Sequence, residues 1–183
     1  MAETKDAYTH VGPGLPPLCG ARTKVLILGS FPSPKSREQG FYYGHPQNRF
    51  WPLMAALFGE AVPQSIPEKR ALLLRHHIAL WDVIARCDIT GSADSSIRDA
   101  VPVDMGQITQ VCHLTRVYCN GALSGRLYGK YLQPSLGLSA QTLPSTSPAN
   151  AAWSFARLVD AWQPLREAAE GSSSVDFPRS FPG

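Results

Sequence analysis

The sequence predicts an α/β fold, a mostly parallel sheet covered by helices on both faces, and three observations carry that prediction. Val25-Leu26-Ile27-Leu28 is a continuous apolar run ended by Gly29, the mark of a strand buried on both sides. Ile78–Trp81, Arg116–Cys119 and Ala140–Leu143 look like the next three strands, and helical patterns fill the intervals. Long loops rich in Pro and Ser follow the first and the last of these strands, where an open parallel sheet binds its ligands.

Taken in order, residues 1–23 show no periodicity and read as an N-terminal extension, irregular or poorly ordered. The first helical pattern, Gln47–Phe58, sets Phe50 and Trp51 on an apolar face with Met54 and Leu57, which marks both aromatics as packing residues. Glu68–His76, Met105–Cys112 and Ala122–Tyr131 are the next helical patterns, and Ala149–Arg166 is the last. Ser147 can cap that final helix and Pro148 suits its first position, where no backbone donor is missed. Gly-Ser-Ser-Ser and two further prolines then replace periodicity, so 169–183 read as a flexible tail and 24–168 as one domain.

With 183 residues, 44% hydrophobic and 17% charged, the chain has the composition of an ordinary globular domain able to bury a core. Its longest apolar runs, such as Val25–Leu28 and Ala71–Leu74, fall far short of the roughly 18 residues a membrane span needs. Met1 to Leu18 lacks the apolar region of a signal peptide, which points to the cytoplasm and to a protein without a membrane partner. Cys19, Cys87, Cys112 and Cys119 are too irregularly spaced for paired metal ligands, and Cys112 and Cys119 read as buried fillers. His76-His77 has no ligand spacing to other residues, so the sequence calls for no metal and no cofactor.

A net charge of +3 is too small to identify a partner, but its distribution is informative. No Asp or Glu occurs between Met105 and Leu158, where Arg116, Arg126, Lys130 and Arg157 lie, and between Gln39 and Gly59 the one full charge is Arg49. Both strand-exit loops therefore sit in acid-free sequence, as a surface facing phosphates requires.

The first loop, Gly29 to Trp51, combines aromatic side chains with one suitable amide, the build of a pocket for a flat ring. Cutting an N-glycosidic bond needs a placed water, and the Asn48 amide oxygen could accept from it while its nitrogen donates elsewhere. Equally, Asn48 could cap or open the helix running to Phe58. Phe31, flanked by Gly29-Ser30 and Pro32, offers a stacking face, with Ser30 and Tyr43 beside it. Asp82, after an apolar strand, could accept from a base N–H or simply anchor its own loop; the edge of a flipped hypoxanthine offers one ring N–H donor and one carbonyl acceptor. In the second loop Pro144, Ser145, Thr146 and Ser147 precede the expected helix start, a place that takes phosphate through backbone donors or wedges into a duplex, or that simply caps the helix. Ser33, His45 and Arg49 complete a candidate DNA-facing set, although a loop histidine more often faces solvent than takes part in a site.

Three segments resemble the uracil-DNA glycosylase superfamily, most closely its hypoxanthine-DNA glycosylase branch. They are Leu28-Gly29-Ser30-Phe31-Pro32-Ser33, Tyr42-Tyr43-Gly44-His45-Pro46-Gln47-Asn48-Arg49-Phe50-Trp51 and Leu143-Pro144-Ser145-Thr146-Ser147-Pro148-Ala149-Asn150. The resemblance implies a three-layer α/β/α sandwich around a four-stranded, mostly parallel sheet, with 24–168 as the glycosylase domain. It also implies metal-free monofunctional chemistry, base flipping and an abasic-site product, so DNA containing deaminated bases is the expected partner; separately, the chain is expected to be a monomer. The mismatch-specific branch has an Asn where Phe31 stands, and the uracil-excising branch has an Asp in the first loop and a His where Leu143 opens the second. The catalytic burden thus shifts to Asn48, and Asp82 matches the position at which the uracil branch reads its base with Asn. Three other readings stay open: a uracil or mismatched-thymine glycosylase, a non-catalytic nucleic-acid binder, and an esterase using Ser30. The esterase lacks the late histidine it would need, the last being His113.

Overall fold

The computed structural model describes residues 8–90 and 96–171. The chain runs β1 (Thr9–Val11), β2 (Val25–Gly29), α1 (Pro34–Gln39), α2 (Phe50–Phe58), α3 (Ile66–Arg75), β3 (Ile78–Asp82), β4 (Ile84–Ile89) and β5 (Arg98–Pro102). It continues through α4 (Gly106–Thr109), β6 (Arg116–Asn120), α5 (Ala122–Tyr131), α6 (Gln133–Leu136), β7 (Ala140–Leu143), α7 (Phe155–Ala161) and α8 (Gln163–Glu170).

All four expected strands form one parallel sheet, ordered β3-β2-β6-β7. Every residue of β2 and β3 is buried, which is why their sequences are apolar without alternation. Each such Leu or Ile contributes about 1.5–3 kcal/mol relative to leaving it exposed. Helices flank the sheet: α3 lies against β3, α5 against β6 and β7, and α8 against β2 with α2 and α7. Phe50 and Trp51 are buried, as their place on the apolar face of α2 predicts, and so are Cys112 and Cys119.

Four expectations need correction. The chain does not pass from β3 to a helix; it enters a second, antiparallel sheet of order β1-β4-β5. β4 hides from sequence reading because its pairing with β5 slips between Ile84 and Arg86 and again between Arg86 and Asp88, which breaks the period-two burial pattern. Met105–Cys112 forms only the single turn of α4. The last helix begins at Phe155 rather than Ala149, capped by Ser154 accepting from Arg157 N at 3.2 Å, and it breaks at Trp162 before Pro164. Part of the N-terminal extension is tied in: β1 pairs with β4, Leu18 bridges Leu80, and Tyr42 Oη and Trp81 Nε1 donate to the Pro16 and Leu15 carbonyls at 2.5 and 2.9 Å. Residues 1–7 and most of the expected tail, 172–183, lie outside the described residues.

Candidate active site

Parallel strands deliver their carboxyl ends to one edge, and the ends of β2, β3 and β6 bring Gly29, Asp82 and Asn120 to one cavity of about 540 Å³. Val83 N and Ile84 N donate to Gly29 O and Ser30 O at 2.9 and 3.0 Å, so the first loop leaves the sheet zipped to the segment after β3. Ser30, Phe31, Ser33, Tyr43, His45, Asn48, Asp82, Ser145, Thr146 and Ser147 all line this cavity. Pro144 faces a neighbouring groove with Trp153, and its carbonyl accepts from Trp162 Nε1 at 2.9 Å.

Asp82 closes β3 opposite Gly29, with its carboxylate packed on the glycine. A Cβ at Gly29 would stand 2.4 Å from Asp82 Oδ1 and 3.4 Å from Tyr43 Oη. This is a position where only the absence of a side chain admits the carboxylate. Gly29→Ala is therefore expected to displace Asp82 and lower base release about tenfold or more, with the change in kcat, measured under single turnover, and DNA affinity retained. Asp82 is 5% exposed. Burial first, and then the Asp82 charge, push the Tyr42 and Tyr43 phenols up, while a hydrogen bond with Asn120 pulls Tyr43 partly back. Both phenols stay protonated near neutral pH, so Tyr43 brings a hydroxyl donor to the carboxylate's side of the cavity.

Tyr43 holds φ at 53°, a left-handed conformation costly for a tyrosine. It is held there by its ring stacking on Phe50 at 4.1 Å and by its neighbour Tyr42, whose carbonyl accepts from Trp51 Nε1 at 3.1 Å. Phe31 is 6% exposed with the Arg37 guanidinium 5.6 Å from its ring centre. Ser33 caps α1, accepting from Ser36 N at 3.2 Å, and Ser36 Oγ accepts from Gly44 N at 3.0 Å to fold the loop back.

Asn48 meets the second loop. Its Oδ1 accepts from Phe50 N at 3.0 Å and from Thr146 Oγ1 at 2.9 Å. The first contact supports the opening of α2, and together they occupy both lone pairs of that oxygen, so the expected acceptance from an attacking water finds no free site there. Thr146 is wholly buried, and its backbone N–H donates to Asn120 Oδ1 at 3.0 Å while Asn120 Nδ2 donates to Thr146 Oγ1 at 3.0 Å.

The second loop is not a helix N-terminus, since α7 begins eight residues after Ser147. Its donors turn inward: Ser147 N to Ser145 Oγ at 3.1 Å, Ala149 N to Ser147 Oγ at 3.2 Å. Arg49 clamps it. Its guanidinium donates to the carbonyls of Ser147 and Asn150 at 3.1 and 3.0 Å and to that of Trp153, and its backbone N–H donates to Thr146 O at 3.1 Å. The guanidinium expected at a phosphate thus points into its own protein. His45 is exposed at the rim, its Nδ1 accepting from Gln47 N at 3.1 Å. Lys35, which the sequence did not single out, supplies a rim cation 3.5 Å from Glu38. Asn120 was also missed, although it carries the signal that exposed Asp82: a polar residue closing an apolar strand.

Residues 16–166 match the family model described as the Uracil DNA glycosylase superfamily. The chain belongs to that superfamily. Two relatives are similar along most of its length, both named Hypoxanthine DNA glycosylase, from Methanosarcina acetivorans and Methanosarcina barkeri. Each is 36% identical over 140 residues, 75% of this chain and 87% of the relative. A solution NMR structure from Methanosarcina acetivorans, described there as a candidate uracil DNA glycosylase, superposes with a TM-score of 0.75 at 32% identity. That match covers 88% of this chain and 99% of the other. The cavity at the strand ends, the two loops over it and the superfamily's four-stranded parallel sheet thus occur together in this glycosylase chain. Among the described residues, no three His, Cys, Asp or Glu side chains gather to hold a metal ion.

Proposed function

We propose that the chain is a monofunctional DNA glycosylase of base excision repair that removes hypoxanthine from deoxyinosine, acting in the cytoplasm as a monomer and without a cofactor. Water adds to C1′ as the C1′–N9 bond breaks; the products are free base, which takes up the proton, and an abasic site. The observation that carries the reading of a deaminated base is the buried Asp82 carboxylate lining the cavity. It is an acceptor for the hypoxanthine ring N–H and discriminates against undamaged adenine, whose ring N1 carries no hydrogen, whereas uracil and thymine also offer a ring N–H. The names of the two Methanosarcina relatives support hypoxanthine as the base.

In this reading a flipped base enters between Phe31, Tyr43 and Asp82, and Asn48 faces the sugar–base junction. Ser30 lies under the base, while Ser33, His45, Ser145 and Ser147 stand at the rim along the DNA strand. Flipping costs a few kcal/mol, offset by stacking worth about 1–3 kcal/mol. Superfamily membership turns the reading away from an esterase at Ser30 and from a binder without chemistry; uracil or mismatched thymine is the remaining rival for the base. Duplexes each carrying one hypoxanthine, uracil or mismatched thymine, scored for base release by alkali cleavage, test this. Release of hypoxanthine well ahead of the others is expected, and preferential uracil or thymine release would overturn the substrate while keeping the reaction.

A further inference from the structure

The hydrogen bonds around Asn48 have one consistent direction. Phe50 N–H and Thr146 N–H can only donate, so the Asn48 and Asn120 amides must each turn an oxygen toward them. Asn120 Nδ2 then donates to Thr146 Oγ1, and the single Thr146 hydroxyl proton is left to reach Asn48 Oδ1. Backbone donors at both ends thereby settle orientations that side-chain amides alone leave open. Asn48 lines the cavity and is half-buried, with its oxygen turned inward, which leaves Nδ2 as its polar group toward the ligand.

We propose that Asn48 works as a hydrogen-bond donor to the departing base rather than as an acceptor from water, and that Thr146 and Asn120 are positioning residues that lock its amide in that sense. The inference rests on the glycosylase reading above. As the C1′–N9 bond breaks, its electron pair stays with the purine, and a fixed N–H aimed at the ring meets charge that grows only toward the transition state. The relay joins the end of β6, the second loop and the start of α2. The donor is therefore held in place before substrate arrives, without reorganisation during the reaction.

Asn48→Asp decides between donor and acceptor. An ionised carboxylate keeps the contacts of Phe50 N and Thr146 Oγ1 on one oxygen and shows the cavity a second acceptor. The donor role predicts a single-turnover rate on hypoxanthine duplex at least about 100-fold below wild type with little change in DNA affinity. A rate equal to or above wild type would overturn it.

Asn120→Asp tests the relay. Its carboxylate still accepts from Thr146 N–H but also draws the hydroxyl proton of Thr146 away from Asn48; protonated, it can donate to Thr146 Oγ1 and restore the native direction. Its rate relative to wild type is therefore expected to climb as pH falls from about 8 to about 5, a profile that a purely structural defect would not produce. Thr146→Val should lose about tenfold or more, and Thr146→Ser should recover most of that. A flat rate ratio for Asn120→Asp would overturn the relay even if Thr146→Val proves too unstable to assay. Absence of release by wild type from every duplex would instead remove the functional reading on which this one rests.

Discussion

Asp82→Ala is expected to lower hypoxanthine release about 1,000-fold or more. The carboxylate sits at the end of β3, 5% exposed, in register with Gly29 and beside the Tyr43 hydroxyl. A base driven into a pocket that no longer offers an acceptor must leave its ring N–H unpaired in a water-poor site, and mismatches of that kind separate substrates by about 10⁴–10⁵ in sites built around one hydrogen bond. Asp82→Asn is expected to retain much more activity than Asp82→Ala, because its amide oxygen can still accept. Single-turnover rates on a hypoxanthine duplex, with DNA affinity measured in parallel, check both. An Asp82→Ala enzyme as fast as wild type would show that the carboxylate serves the loop beneath it and not the base. The two variants falling equally would instead make its charge, rather than its acceptor oxygen, the working feature.

Arg49→Met is expected to cost about 3 kcal/mol of stability and to loosen the loop from Ser145 to Trp153. The methionine keeps most of the aliphatic stem and removes the three contacts to the carbonyls of Ser147, Asn150 and Trp153. Thr146 hangs from the same loop, so the relay to Asn48 should loosen with it and base release should fall as well. Chemical denaturation gives the stability change, and faster hydrogen exchange at the amides of Thr146 and Ser147 reports the loop. Unchanged stability and exchange, together with weaker DNA binding and a shallower salt dependence, would return Arg49 to the phosphate contact that its acid-free sequence context suggests.

Much of the site was legible because its residues sit where local signals are strong. Gly29 ends a continuous apolar run, and Asp82 is the first charge after another; both facts follow from strands that must be buried to their last residue. Asn120 carries the same signal more weakly, because β6 opens on the exposed Arg116 and its run is shorter. The role of Arg49 was not legible. A lone cation among aromatics reads as a phosphate ligand, and its carbonyl partners lie about 100 residues further along the chain. The start of the last helix was misplaced for a related reason: Ser147-Pro148 and Ser154 are both acceptable caps, and the inward turn of the second loop, pinned by Arg49 and Asn120, selects the later one.

The sequence by itself determined the layer architecture, which segments along the chain form the parallel strands and the two loops at their carboxyl ends, because burial and turn chemistry act over a few neighbouring residues. It also held enough of the superfamily's motifs to indicate the reaction. Only the tertiary structure decided which way the Asn48 amide faces, that Thr146 and Asn120 set it, and that the chain after β3 turns into a second sheet. Those outcomes depend on hydrogen bonds between residues far apart in the chain, whose direction is set by which partners the fold brings within about 3 Å.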